Sequence, residues 1–247
     1  MRSSRTKEKI ENRIEFNNLF VKTAGSFAEH LVTIESIDKI VTNVFGRAVK
    51  ISNAASLSYL HGLAVSGIRC AAMLEKRAVK GALQTIKNMA RQHVPMTIVI
   101  GKGAMPLLPE MAQTGAVIFQ AFNAQSLADR ILHAQVVAEK SLVPVIVLAE
   151  YNDLSSDFLV PSRQELINFF GDPDNFSNVK SAAQAIVFGN KRKRVPNWTN
   201  PDAPLAVGII KNDTGMAFET AAKAAFSKSH IQDMIDDDLF RMVGVHF

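Results

Sequence analysis

The 247-residue chain holds one cysteine, one tryptophan and two tyrosines. A single thiol, Cys70, excludes an intrachain disulfide framework, and its apolar surroundings in "IRCAAML" mark it as a core residue and not a nucleophile. One thiolate cannot hold an iron–sulfur cluster. No apolar run approaches the roughly 20 residues that a membrane span needs. The N-terminal "MRSSRTKEKIENR" lacks the apolar stretch of a secretory signal, so a cytoplasmic location is expected. The GxSxG, CxxC and HExxH patterns are absent, and the six histidines have no metal-ligand spacing, so no metal site is expected.

Positive charge is in excess, with 28 Lys and Arg against 23 Asp and Glu, but it is unevenly placed. Residues 1–13 carry five cations against two carboxylates, and Lys191, Arg192, Lys193 and Arg194 add four more cations. What remains is slightly acidic, so the folded body is not a basic surface. The stretch "GNKRKRVPNW" could contact phosphates, because clustered cations release counterions from a polyanion. Lying between Gly189 and Pro196, it reads as a solvated linker. With no aromatic interleaving, helix-turn-helix pattern or zinc spacing, nucleic acid is not the expected partner.

What the chain does have is alternation. The apolar runs at 49–51, 68–74 ("IRCAAML"), 96–101 ("MTIVIG"), 116–122 ("AVIFQAF") and 143–150 ("VPVIVLAE") read as strands. Between them "EKRAVKGALQTIKNMARQ" (75–92) and "AQSLADRILHAQVVAEKS" (124–141) show helical spacing. Continuous apolar strands separated by helices predict βαβ units, hence an α/β fold with a doubly wound, mainly parallel sheet. The core is expected over residues 19–170, after a basic extension at 1–18 and before a linker and C-terminal appendage at 171–247.

Sites in such sheets lie beyond the carboxyl ends of the strands. There "GKGAMP" lacks the order of a phosphate loop and reads as a turn. "EYNDLSSD" gathers Glu150, Asp153 and Asp157, which reads as a solvated acidic loop sooner than a hard-cation site. "ISNAASLSYLHGLAVSGIRC" (51–70) predicts a helix with Asn53 as N-cap, Gly67 just past its end, and a surface of small residues. Such a surface permits close approach. It is expected to be covered by another chain or a dimer mate, with packing against the chain's own sheet as the alternative.

The order "VFGRAVKISNAASLSYLHGLAVSGIR", "VPMTIVIGKG", "SLADRILHAQVVAEKSLVPVIVLAEYNDLSSDFLVPSRQELINFF", "NPDAPLAVGII" resembles the N-terminal, pyrimidine-binding domain of pyruvate:ferredoxin and related 2-oxoacid oxidoreductases, over residues 19–225. The resemblance implies a thiamine-diphosphate-enzyme fold in which a glutamate drives the aminopyrimidine proton relay. That position falls on Asn53, whose amide can hydrogen-bond but cannot exchange a proton in this way. The family's substrate threonine falls near Thr23, without the flanking prolines. Its Ser-Gln-Gly turn falls on Glu75 to Ala78. Its substrate arginine falls at Gly103, with Lys102 beside it as a poorer substitute. "FGDPDNF" offers Asp172 and Asn175, but Pro173 breaks the Gly-Asp-Gly metal motif.

The resemblance therefore implies a subunit that is non-catalytic by itself, a pseudoenzyme, in a 2-oxoacid:acceptor oxidoreductase complex. Thr23 and Lys102 are its candidate substrate contacts and Asn53 its cofactor contact. Thiamine diphosphate, magnesium and iron–sulfur clusters would belong to partner subunits, and none to this chain alone. The partners would be those subunits or a second copy. The alternative is a stand-alone, repurposed α/β protein that binds a ligand or a partner.

Overall fold

The computed structural model describes residues 15–34, 41–53, 56–92, 94–150, 158–171, 176–178, 191–193 and 245–246. Asp153, Asp157, Asp172 and Asn175, and the basic extension up to residue 14, lie outside them, as does most of the expected linker and appendage.

The chain enters through helix α1 (15–24), whose Phe16 and Asn17 are buried. There follow β1 (His30–Val32), β2 (Val41–Thr42), β3 (Ala48–Ser52), α2 (Leu57–Val65), β4 (Cys70–Leu74), α3 (Lys76–Arg91) and β5 (Met96–Ile100). A short 3-10 turn (Met105–Leu107) runs into α4 (Leu108–Ala112), then β6 (Val117–Ala121), α5 (Ala124–Ser141), β7 (Pro144–Ala149) and α6 (Arg163–Phe170). Three further short strands are β8 (Phe176–Asn178), β9 (Lys191–Lys193) and β10 (Val245–His246).

Eight strands form one sheet in the order β10-β6-β7-β5-β4-β1-β3-β2. The six from β6 to β3 are parallel, and only the outermost, β10 and β2, run antiparallel to their neighbours. Strands β4, β5 and β7 are buried along their whole length, which is why they read as unbroken apolar runs. Alternate residues feed two cores. Met73, Val99, Phe119 and Val147 point to the face covered by α1, α5 and α6; Ala72, Ile98, Ile118 and Ile146 point to the face covered by α2, α3 and α4. The fold is a doubly wound α/β sheet, as the alternation predicts.

Local chemistry sets the helix ends. Asn123 caps α5 by accepting from Ser126 N–H, while Ser126 Oγ accepts from the Asn123 N–H in return. Ser162 and Glu165 do the same for α6, and these bonds from Ser162 hold the Glu165 carboxyl below its ordinary value. Helix α2 ends as expected on Gly67 (φ 85°), with Gly67 N–H and Ile68 N–H donating back to the carbonyls of Ala64 and Leu63. Its start differs from the expectation. Ser56, not Asn53, is the N-cap, because β3 runs on to Ser52 and Asn53 lies in the bend that follows it.

At the amino edge of the sheet a buried ion pair joins the elements. Arg69, just before β4, is 1% exposed, and Glu139, in the last turns of α5, is 3% exposed. Arg69 donates through Nε and Nη2 to the two carboxylate oxygens at 2.6 and 2.9 Å. Nη2 also reaches the carbonyls of Phe170 and Gly171 at the end of α6, and the rings of Phe45 and Phe170 lie 5.0 and 5.7 Å from the guanidinium carbon. Gln135 donates to Glu139 and accepts from Thr97 Oγ1 of β5.

Two outcomes follow. Glu139→Ala leaves the guanidinium buried without its counter-charge and should cost about 3–5 kcal/mol in urea unfolding, whereas the joint change Arg69→Met and Glu139→Leu should cost clearly less. Burial, with a smaller contribution from Glu29, pushes the Cys70 thiol far above its ordinary value. Iodoacetamide at pH 8 should therefore leave Cys70 unmodified in the folded chain and alkylate it once the chain is unfolded in urea.

Candidate functional site

Adjacent strands β5 and β7 send their chains to opposite faces: β5 leads into α4 on one, β7 toward α6 on the other. This is a topological switch point, the place in such sheets where a crevice opens at the carboxyl edge. The loop Gly101–Met105 lies at this point. Gly103 adopts φ 84°, a conformation that costs a side-chain-bearing residue strain, and this turn aims three successive N–H groups at one point.

That point is held by the chain's own carboxylate. Glu150, the first residue after β7, accepts from Gly103 N–H at 3.0 Å through one oxygen and from Ala104 and Met105 N–H at 2.8 and 3.1 Å through the other. The turn read at "GKGAMP" is thus present, and its anion is internal. Glu150 is a ligand of this loop, and among the described residues no three His, Cys, Asp or Glu side chains group together as a metal site.

Two lysines stand at the loop. Lys76, at the start of α3, lays its stem against Gly103; a Cβ there would stand 3.7 Å from Lys76 Cδ. Lys102 is exposed beside it. Arg77 pairs with Glu75 at 2.5 Å.

The candidate contacts are not brought to one place. Lys102 lies at the carboxyl end of β5. Asn53 is exposed at the carboxyl end of β3, on the same edge but three strand spacings away, about 14 Å. Thr23 is fully buried in the last turn of α1. The start of α1 is the end that meets this edge, since a Cβ on Gly101 would lie 3.7 Å from the Phe16 ring. Seven residues of helix then carry Thr23 about 10 Å toward the amino edge.

Helix α2 packs on the chain's own sheet, the alternative of the two readings, and leaves part of its small-residue surface exposed. Leu57, Leu60 and Ala64 are buried against the chain's own sheet, while Ser58, Gly62 and Ser66 are exposed together with Tyr59. Tyr59 stands edge-on to the His30 ring. The sequence does not single out the roles of two contributors: Glu150 stands in one acidic stretch with Asp153 and Asp157, and Lys76 is one of several charges on a helix. The signal for Glu150 is its place, an acid directly after one apolar strand and level with a glycine turn after the neighbouring one.

No family model and no curated protein sequence matches this chain. Among solved structures it is similar to a 2-oxoglutarate:ferredoxin oxidoreductase from Magnetococcus marinus, determined with 2-oxoglutarate, coenzyme A and succinyl-CoA bound. The TM-score is 0.53 at 11% identity, over 87% of this chain and 44% of that one. The likeness establishes a shared fold. This chain spans less than half the length of that protein.

Among the described residues no helix is long and apolar enough to cross a membrane.

Hydrogen bonds to a charged acceptor are among the stronger ones. Glu150→Ala should therefore lower stability by about 2 kcal/mol in urea unfolding, and Glu150→Gln by less, since one amide oxygen still accepts. Added formate should restore part of the loss in Glu150→Ala and leave the native chain unchanged.

Proposed function

We propose that this chain is a subunit of a 2-oxoacid:acceptor oxidoreductase assembly, in the position of the pyrimidine-binding domain, and that it is non-catalytic by itself. The observation that carries the reading is the fold likeness over 87% of the chain. Asn53 at the carboxyl end of β3 supports its second half.

The residues present do not fit thiamine diphosphate as a working cofactor of this chain. The aminopyrimidine relay needs an acid that can give and take a proton, and Asn53 at the family's glutamate position offers an amide. The anion-binding turn after β5 is taken up by Glu150. Lys102 and Thr23 remain the nearest candidates for a substrate carboxylate. Lys102 could supply a charge at the carboxyl edge; Thr23 would have to be uncovered first. Thiamine diphosphate, magnesium and iron–sulfur clusters are assigned to partner subunits, and the exposed small-residue face of α2 is a surface on which such a subunit could approach closely.

Affinity purification of the tagged chain from its native source tests the reading. Thiamine-dependent and iron–sulfur subunits should co-purify. Recovery of the chain alone would point instead to a stand-alone ligand- or partner-binding protein. Calorimetry on the isolated chain with magnesium should show no micromolar binding of thiamine diphosphate, and Asn53→Glu alone should not create it. Such binding, or reduction of an acceptor dye by a 2-oxoacid that depends on this chain alone, would overturn the non-catalytic assignment.

A further inference from the structure

Strand β6 (Val117–Ala121) is the outermost of the parallel strands on its side of the sheet, and its outer edge has two different covers. One bond fixes which of its backbone groups face that edge. The Ala121 carbonyl accepts from Glu150 N–H just past β7, so Ala121 turns its backbone groups toward β7. Successive residues of a strand turn their N–H and C=O to opposite sides. Phe119 therefore also faces β7, while Ile118 and Gln120 face outward. Ile118 is paired with His246 of β10, and Gln120 lies beyond the reach of that two-residue strand. Its carbonyl instead accepts from Arg130 Nε of α5 at 3.4 Å, and Arg130 is only 5% exposed. A charge turned in on a strand edge is one of the ways in which proteins bar a further strand from it.

β6 carries no such bar of its own. Its sequence, "VIFQA", holds no charge, proline or glycine. Its outward residues also stand symmetrically about Phe119. A second β6 turned about a two-fold axis at Phe119 sets Ile118 of each copy opposite Gln120 of the other, so that every outward N–H and C=O of these residues meets a partner. No charge of either strand has to be buried. β10 already pairs in the antiparallel sense that this arrangement needs. We propose that the outer edge of β6 is a pairing surface for a second copy of this chain, held shut within one chain by β10 and Arg130. The contact is isologous, so it closes at two copies and joins their sheets into one.

The two covers divide the edge between them, β10 on Ile118 and Arg130 on Gln120. Neither alone covers both outward residues. A strand as short as β10 contributes little pairing, and local opening of such a strand lies at the low end of the range within a fold. Arg130 is held in place by α5, and must turn away before Gln120 can pair.

Sedimentation of the full-length chain over a concentration series tests this. His246→Pro removes the N–H that β10 gives to Ile118. Combined with Arg130→Ala it should raise the mass about twofold over the native chain, with the far-UV circular dichroism unchanged. Adding Gln120→Pro should return the native mass, because the lost N–H faces the edge and takes no part in the β7 ladder. A folded double variant that keeps the native mass, an open series of larger assemblies, or assembly that survives Gln120→Pro would overturn the proposal. Hydrogen exchange gives a reading that does not depend on the Arg130 variant. His246→Pro alone should speed exchange of the Ile118 amide at least tenfold and leave that of Phe119 unchanged. Equal rates at Ile118 with and without the substitution would show that β10 does not guard this edge, and would overturn the proposal as well.

Discussion

The pairing of Arg69 with Glu139 is the constraint on which the arrangement of this sheet depends. Two charges removed from water are expensive, and their attraction offsets that cost only if the geometry is good and the remaining hydrogen-bonding groups are served. Here the service comes from separate elements: Gln135 of α5, the terminal carbonyls of α6, and through Gln135 the Thr97 hydroxyl of β5, while Arg69 Nη1 has no hydrogen-bond partner among the described residues. A shift of any one would strand a charge or a polar group in the core. The pair therefore fixes where α5 and α6 end relative to the start of β4, and so holds the amino edge of the sheet closed.

With that edge closed, variation is left to the other. The carboxyl edge carries the glycine turn, Glu150, Lys76, Lys102 and Asn53, and most of these are partly or wholly exposed. Thr23 falls outside this group because α1 runs from one edge toward the other, so that only its first residues approach the turn.

Much of the fold was legible because its strongest signals are local. The strands β5, β6 and β7 and the helices α3 and α5 lie within one or two residues of their predicted bounds, since buried parallel strands are unbroken apolar runs and the helices between them keep their period. Strand β1 has three residues, too few for any pattern, and it earns its place only by pairing with β3 and β4 on either side. The start of α2 is not legible locally because "SNAAS" holds three good capping residues, Ser52, Asn53 and Ser56, and the choice among them depends on how far β3 continues. Arg69 and Glu139 lie seventy positions apart, in a chain rich in both charges, and nothing local distinguishes a buried arginine from a solvated one. The site was legible in its place, beyond the strand ends, and not in its composition.

A loop that would otherwise need an anion to satisfy its converging N–H groups is here satisfied from within, by Glu150. Proteins that rely on a bound anion at such a turn gain stability with its concentration, by mass action, and lose it when the anion is scarce. With Glu150 in place that dependence is absent at this turn. The closure of the switch-point loop is then supplied by the polypeptide itself.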